Sequence, residues 1–156
     1  MPAVTDIINK FSARRLNQIG HFRNSPAEVQ DEIFRFLLNR ALSTEWGMKH
    51  GYSSISSVPQ FQERVPVQTY DELIPWIERL GKGEPDLLWP GRIKWFAKSS
   101  GTTSSRSKFI PITDEALEEC HYKAAADVLR IYLNNHPRSR LFPGKALILG
   151  GSHRID

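Results

Sequence analysis

The sequence predicts an α/β segment in which helices from the first half pack on a mixed sheet whose strands carry a hydroxyl-rich loop. Three observations predict it. Capping-box signals open helices at Ser25-Pro-Ala-Glu28 and Thr69-Tyr-Asp-Glu72. Arg92 to Lys98 alternates Ile93, Trp95 and Ala97 against Arg92, Lys94 and Lys98, the period of a strand, with Phe96 the one apolar residue on the second face. Lys145-Ala-Leu-Ile-Leu149 is a continuous apolar run of the kind buried on both faces of a sheet.

Taken in order, Val4, Ile7, Ile8, Phe11, Ile19 and Phe22 recur near helical spacing with Lys10, Arg14 and Arg15 among them. A basic amphipathic start also suits a transit peptide or a membrane-surface anchor. Here it carries Asp6, lacks a long apolar core and runs without a linker into the next helix, so it reads as a packed helix. That next helix has Pro26 at its first position, with Val29, Ile33, Phe36 or Leu37, and Ala41 as its expected buried face and Gly47 at its exit. Gly51 to Pro66, rich in Ser and Pro, reads as a connection within one domain. Thr69 to Glu72 opens a short turn, because Pro75 is expected to break a long helix and leave a helical piece from about Pro75 to Leu80. Gly81-Lys-Gly-Glu-Pro85 is a turn: no strand precedes it and its glycines lack dinucleotide spacing. Phe109-Ile110 is a short strand stopped by Pro111. Thr113 then caps a helix with Asp114 and Glu115 in its first turn and a stripe of Leu117, Cys120, Ala124, Val128 and Ile131, ending near Asn134-Asn135.

The chemistry concentrates in Ser99 to Pro111. Ser99, Ser100, Thr102, Thr103 and Ser104 surround Gly101, with Arg106 and Lys108 close behind and no carboxylate among them. Hydroxyl donors, cations and a glycine that lets a backbone approach closely make an anion cradle. A Walker-type loop needs glycine directly before its lysine and an immediate helix; here Ser107 precedes Lys108 and Phe109 follows, so that reading is poor. A plain Ser/Thr-rich surface loop is the structural alternative, and the apolar flanks and clustered cations weigh against it. The third reading is the phosphate loop of adenylate-forming enzymes. Between Asp86 and Asp114 the only charges are Arg92, Lys94, Lys98, Arg106 and Lys108, and subtracting them from the net +4 leaves the rest of the chain near −1. Such a field suits a small polyanion. Trp95 and Phe96 among cations also suit single-stranded nucleic acid, but no recognised nucleic-acid module accompanies them.

The run Lys94-Trp-Phe-Ala-Lys-Ser-Ser-Gly-Thr-Thr103 with Ser107-Lys-Phe-Ile-Pro111 resembles the auxin-responsive promoter (Gretchen Hagen) family of acyl-acid amido synthetases, in its bacterial branch. Thr44-Glu-Trp-Gly47, Phe61-Gln-Glu-Arg-Val-Pro66, Thr69-Tyr-Asp-Glu72, Gly83-Glu84, Leu88-Trp-Pro90 and Gly150-Gly-Ser-His153 extend the likeness over nearly the whole chain. Ser105 and Arg106 depart from it, standing where many members carry glycine or an acidic residue. The resemblance implies the amino-terminal part of the large domain of an adenylate-forming enzyme, helical over about 1–85 and strand, loop, helix and strand over about 90–151. It implies that Ser99, Ser100, Gly101, Thr102, Thr103, Ser104 and Lys108 hold the phosphates of ATP, with Mg bound by residues outside this chain and no catalytic base within it. It places His121, Tyr122, Lys123 and Arg130 near an acyl-substrate pocket, Arg130 as a candidate for the substrate carboxylate. Ser152 and His153 join them at the carboxyl end of the last strand, where open sheets put ligands. The implied reaction is ATP-dependent activation of a carboxylic acid as its acyl-adenylate and transfer to an amine such as an amino acid. Transfer to coenzyme A, or a nucleotide-binding or interaction module without catalysis, are the alternatives.

Other classes are disfavoured by composition. At 156 residues, 40% hydrophobic, the chain can bury one core. The single cysteine, Cys120, excludes a disulfide framework, is expected to be a buried thiol and suits a cytoplasmic, reducing compartment. His21, His50, His121, His136 and His153 are too scattered for a zinc site. No apolar run approaches the ~18 residues of a membrane span, so no membrane partner is expected. If the chain is a truncation, its last strand lies at a sheet edge, and the isolated segment is expected to be inactive and to self-associate.

Overall fold

The computed structural model describes residues 3–99, 107–139 and 145. Helices Ala3–Asn24 (α1) and Pro26–Arg40 (α2) are followed by the short Glu45–Lys49 (α3), a 3-10 turn at Tyr52–Ser54, Val58–Arg64 (α4) and Tyr70–Gly81 (α5). Trp95–Lys98 (β1) and Phe109–Ile112 (β2) pair antiparallel, and a π-helical segment, Ala116–Tyr122, runs into Lys123–Asn135 (α6). The described residues are thus mostly helical with one small antiparallel sheet. The expected strand over Ala146 to Leu149 and the Gly150-Gly151 pair lie outside them.

α1 and α2 meet at Ser25, a joint of one residue. The helix start is where the sequence places it, but the expected capping box does not form. Ser25 sits at φ −129°, ψ 53°, its hydroxyl makes no cap bond, and its N–H donates to the His21 carbonyl at 2.8 Å. Because α1 runs unbroken into the joint, Ser25 cannot take the extended backbone that a serine cap requires. The buried face of α2 is also rotated from expectation. Leu38 and Ala41 are buried and Phe34 packs edge-on against Phe61 at 5.8 Å, while Ile33, Phe36 and Leu37 are exposed. α2 carries two apolar stripes about 100° apart, one residue's rotation, and its neighbours cover the second.

Gly47 is no exit marker. α2 ends at Arg40, and Gly47 lies buried inside α3, where an added Cβ would stand 2.1 Å from the Ala41 carbonyl oxygen. The fully buried Thr44 caps α3: its Oγ1 accepts from the Gly47 N–H at 3.0 Å and donates to the Ala41 carbonyl at 2.7 Å. The next free donors of that helix end, the N–H groups of Glu45 and Trp46, reach the carbonyls of Asp86 and Leu87 at 2.8 and 2.9 Å. Orphan amides at a helix start thereby fasten the chain beyond α5 to the end of α2.

The Gly51 to Pro66 connection contains α4, which Ser57 caps by accepting from the Gln60 N–H, with proline in the first turn. α5 begins on a complete capping box, Thr69 and Glu72 each bonding the other's backbone. It then runs through Pro75, contrary to expectation. Asp71, whose carbonyl loses its partner, and Pro75 are both exposed, so the freed acceptor faces water and the helix continues. The core lies where α5 meets the chain behind it: Leu80, Leu87 and Ile93 are buried, with Trp76, Leu88, Trp89 and Phe96 packed around them. Arg79 closes this region by donating to both Glu45 and Glu84.

β1 is shorter than expected, and its inward face is the other one. Ile93 precedes the ladder and its burial does not set the strand's parity; Phe96 packs on the core, while Trp95 and Ala97 are exposed. Pro111 does not stop β2. It pairs with Phe96 three positions from the hydrogen-bonded Ser99–Lys108 pair, and because such pairs alternate this is a non-hydrogen-bonded site, where proline's missing N–H faces away from β1.

Thr113 caps the last helix as expected, its Oγ1 accepting from the Ala116 N–H at 2.9 Å, and α6 ends at Asn135. The expected apolar stripe is not the buried one. Cys120, Ala124, Val128 and Ile131 are exposed, and Leu133 is fully buried. The π segment is the reason. The Lys123 N–H bonds back five residues to Glu118, so same-face spacing slips there and a stripe counted at 3.6 residues loses its phase. Cys120 is therefore a surface thiol and not the buried one expected.

α6 packs on α1 across one ion pair. Asp127 accepts from Arg15 through Nε and Nη2, the latter at 2.7 Å, and from Arg130 at 3.0 Å. Hydrogen bonds from Arg15 hold the Asp127 carboxyl below its ordinary value of 3.8. A depressed carboxyl pKa stabilises the fold above the unfolded value, and that contribution is lost as pH falls through the folded one. Asp127→Asn is accordingly expected to lower the thermal midpoint at neutral pH, with the gap to the parent closing below pH 3.8. Thermal melts of both proteins across that range check this, and a gap independent of pH refutes it.

Candidate functional site

The loop hangs from a tied hairpin base. Ser99 donates its N–H to the Lys108 carbonyl at 2.9 Å, and Lys108 returns its N–H to the Ser99 hydroxyl at 3.1 Å. The predicted residues Ser99 and Lys108 are thus brought together at the end of the β1–β2 ladder. Ser100, Gly101, Thr102, Thr103 and Ser104 lie outside the described residues, as do Ser105 and Arg106.

Sequence reasoning missed Tyr70, the first residue of α5. Its hydroxyl accepts from the Phe109 N–H at 2.8 Å and donates to the Phe109 carbonyl at 3.3 Å. Phe109 follows a hydrogen-bonded pair, so its amide and carbonyl face away from β1, and one phenol satisfies both in place of a third strand. The Lys108 ammonium lies 5.2 Å from the centroid of the same ring. The only signal in the sequence is that Tyr70 belongs to the Thr69-Tyr-Asp-Glu72 motif, where it looks like a helix-start residue.

The charge around the loop is less free than its composition implies. Lys94 pairs with Asp114 at 3.3 Å across the exposed surface. Lys98 and Lys108 have no carboxylate partner among the described residues. The candidate acyl-pocket residues are not gathered with them. Arg130 is committed to Asp127, Lys123 pairs with Glu119, and Tyr122 stands exposed and edge-on to His121 at 5.3 Å. Ser152 and His153 lie outside the described residues. An open cavity of about 410 Å³ lined by Tyr132, His136 and Arg138 sits at the far end of α6 and includes none of the predicted residues. Among the described residues no three of His, Cys, Asp or Glu cluster as a metal site, and no helix is long and apolar enough to cross a membrane.

A loop base of this kind, reached through a helical amino-terminal half, is what the family resemblance implies, and residues 15–154 match the GH3 family N-terminal domain. The chain belongs to the GH3 family. This GH3 segment is 27% identical over 150 residues to a jasmonoyl-L-amino acid synthetase of Nicotiana attenuata, covering 92% of this chain and 24% of that protein. It is 30% identical over 122 residues to an indole-3-acetic acid-amido synthetase of Arabidopsis thaliana, covering 76% and 20%. In three dimensions it superposes on the GH3.15 acyl acid amido synthetase with a TM-score of 0.68 at 26% identity, covering 77% of this chain and 22% of that one. The GH3 chain therefore spans a quarter or less of each of these relatives. Nothing in them supports the narrower expectation of a bacterial branch.

Proposed function

We propose that the full-length protein is an ATP-dependent ligase that activates a carboxylic acid as its acyl-adenylate and passes the acyl group to an amine such as an amino acid. Residues 1–156 form the amino-terminal part of its adenylating domain, and Ser99 to Lys108 is the phosphate loop. One observation carries the reading: a lysine without a carboxylate partner has its backbone tied at the base of a hydroxyl-rich loop by reciprocal bonds between Ser99 and Lys108. The relatives' names, amido synthetases of acyl acids, supply the reaction class.

In this scheme a carboxylate oxygen of the acid attacks the α-phosphorus of ATP and pyrophosphate departs; the amine then attacks the acyl carbonyl and AMP departs. The nucleophile of the first step is already ionised, so the chain supplies no base. It supplies positive potential where charge moves onto pyrophosphate, from Lys108 at the loop base. The donor set of hydroxyls and an ammonium suits phosphate oxygens and contains no carboxylate; Mg is assigned to residues outside this chain. The isolated 156-residue segment is proposed to form no adenylate.

Pyrophosphate–ATP exchange by the full-length protein against a panel of carboxylic acids tests this. Acid-dependent exchange followed by an amide product supports it; a coenzyme A thioester favours the alternative acceptor, and no exchange with any acid leaves a non-catalytic nucleotide-binding module.

A further inference from the structure

We infer that Tyr70 is a positioning residue that holds Lys108 toward the nucleotide phosphates, an inference that rests on the phosphate-loop reading above. A lysine has a flexible four-carbon stem and loses substantial rotamer freedom when fixed, so a phosphate-facing ammonium on a short hairpin needs support. A carboxylate partner would supply it while cancelling the charge. An aromatic face does otherwise: it attracts the cation through the ring quadrupole and leaves the ammonium's donors open to a second partner.

Tyr70 has the geometry for this. Its ring centroid lies 5.2 Å from the Lys108 ammonium, and its hydroxyl is locked to both backbone groups of Phe109, the residue next to Lys108. Its own backbone is set by the capping box, since Tyr70 directly follows Thr69, whose N–H and hydroxyl both bond the Glu72 carboxylate at 2.7 Å. Local hydrogen bonding thus fixes the start of α5, α5 fixes the ring, and the ring fixes both the strand and the cation. An apolar filler at position 70 would occupy the space and do neither.

The test is carried out on the full-length protein by pyrophosphate exchange at varied ATP and varied acid. Tyr70→Leu is expected to raise the KM for ATP by about two- to fivefold, the size of an exposed cation–π contact, with the KM for the acid unchanged. Tyr70→Phe, which keeps the ring face, is expected to shift it less. In a Lys108→Met background Tyr70→Leu is expected to add nothing. Should leucine at position 70 lower the thermal midpoint sharply, fluorinated phenylalanine at that position keeps the shape while weakening the ring's negative face, and KM for ATP is expected to rise with fluorination. The inference is overturned alone if Lys108→Met raises the KM for ATP while the Tyr70 variants do not, or if Tyr70→Leu acts equally in the Lys108→Met background. If Lys108→Met leaves exchange unchanged, the phosphate-loop reading fails and takes this inference with it.

Discussion

Gly47→Ala is expected to destabilise the protein by about 3–4 kcal/mol, near the top of the range for single substitutions. The added methyl carbon would sit 2.1 Å from a backbone oxygen, that of Ala41, so relief requires moving α3 as a whole. Moving α3 breaks its bonds to the carbonyls of Asp86 and Leu87, and through them the seating of Leu87 in the core. A loss of that size is a large share of the 5–15 kcal/mol by which domains are typically stable. Gly20→Ala is the control. Nothing lies within 4 Å of a Cβ at that helical position, so alanine there is expected to be neutral or to stabilise by up to ~1 kcal/mol through helix propensity. Urea titrations of both variants decide the matter; equal midpoints would refute the close-approach argument.

Lys108→Ala is expected to lower productive ATP use by about one to two powers of ten, a charge-assisted contact being worth ~1.5–3 kcal/mol at 1.4 kcal/mol per tenfold. The thermal midpoint should barely move, because a cation with no ion-pair partner at a loop base stabilises the fold little. This separation of activity from stability is the informative part. Pyrophosphate exchange against ATP concentration, beside thermal melts of the same samples, measures both, with Lys98→Ala as the comparison. Lys98 is an exposed cation one residue from Ser99, and if its loss matches that of Lys108, general field strength and not a placed ammonium explains the effect.

What was legible in the sequence follows the range of the interaction that decides each feature. The capping box at Thr69 and the N-cap at Thr113 involve partners three residues away, and both form as read. Ser25 carries the same signal and fails, because the backbone angle of the joint is set by how α1 and α2 cross. α2 offers two apolar stripes, and only the placement of α4 and Phe61 selects between them. The loop announced its chemistry through hydroxyls, cations and the lack of acids, all contiguous. Tyr70 was silent because its partner, Phe109, is 39 residues away, and no local pattern marks a phenol that replaces a strand.

The π segment ahead of α6 turns chain length into angle. One surplus residue between Ala116 and Tyr122 rotates everything after it by about 100°, the share of one residue in an α-helical turn. In the resulting setting Asp127 faces Arg15 and Leu133 faces inward. Deleting a single residue there would shorten the helix by a mere 1.5 Å or so. It would also swing Asp127 off α1 and bring a different row of α6 side chains to the interface, so the segment acts as a phase adjuster between the end of the hairpin and the helix that locks onto the amino terminus.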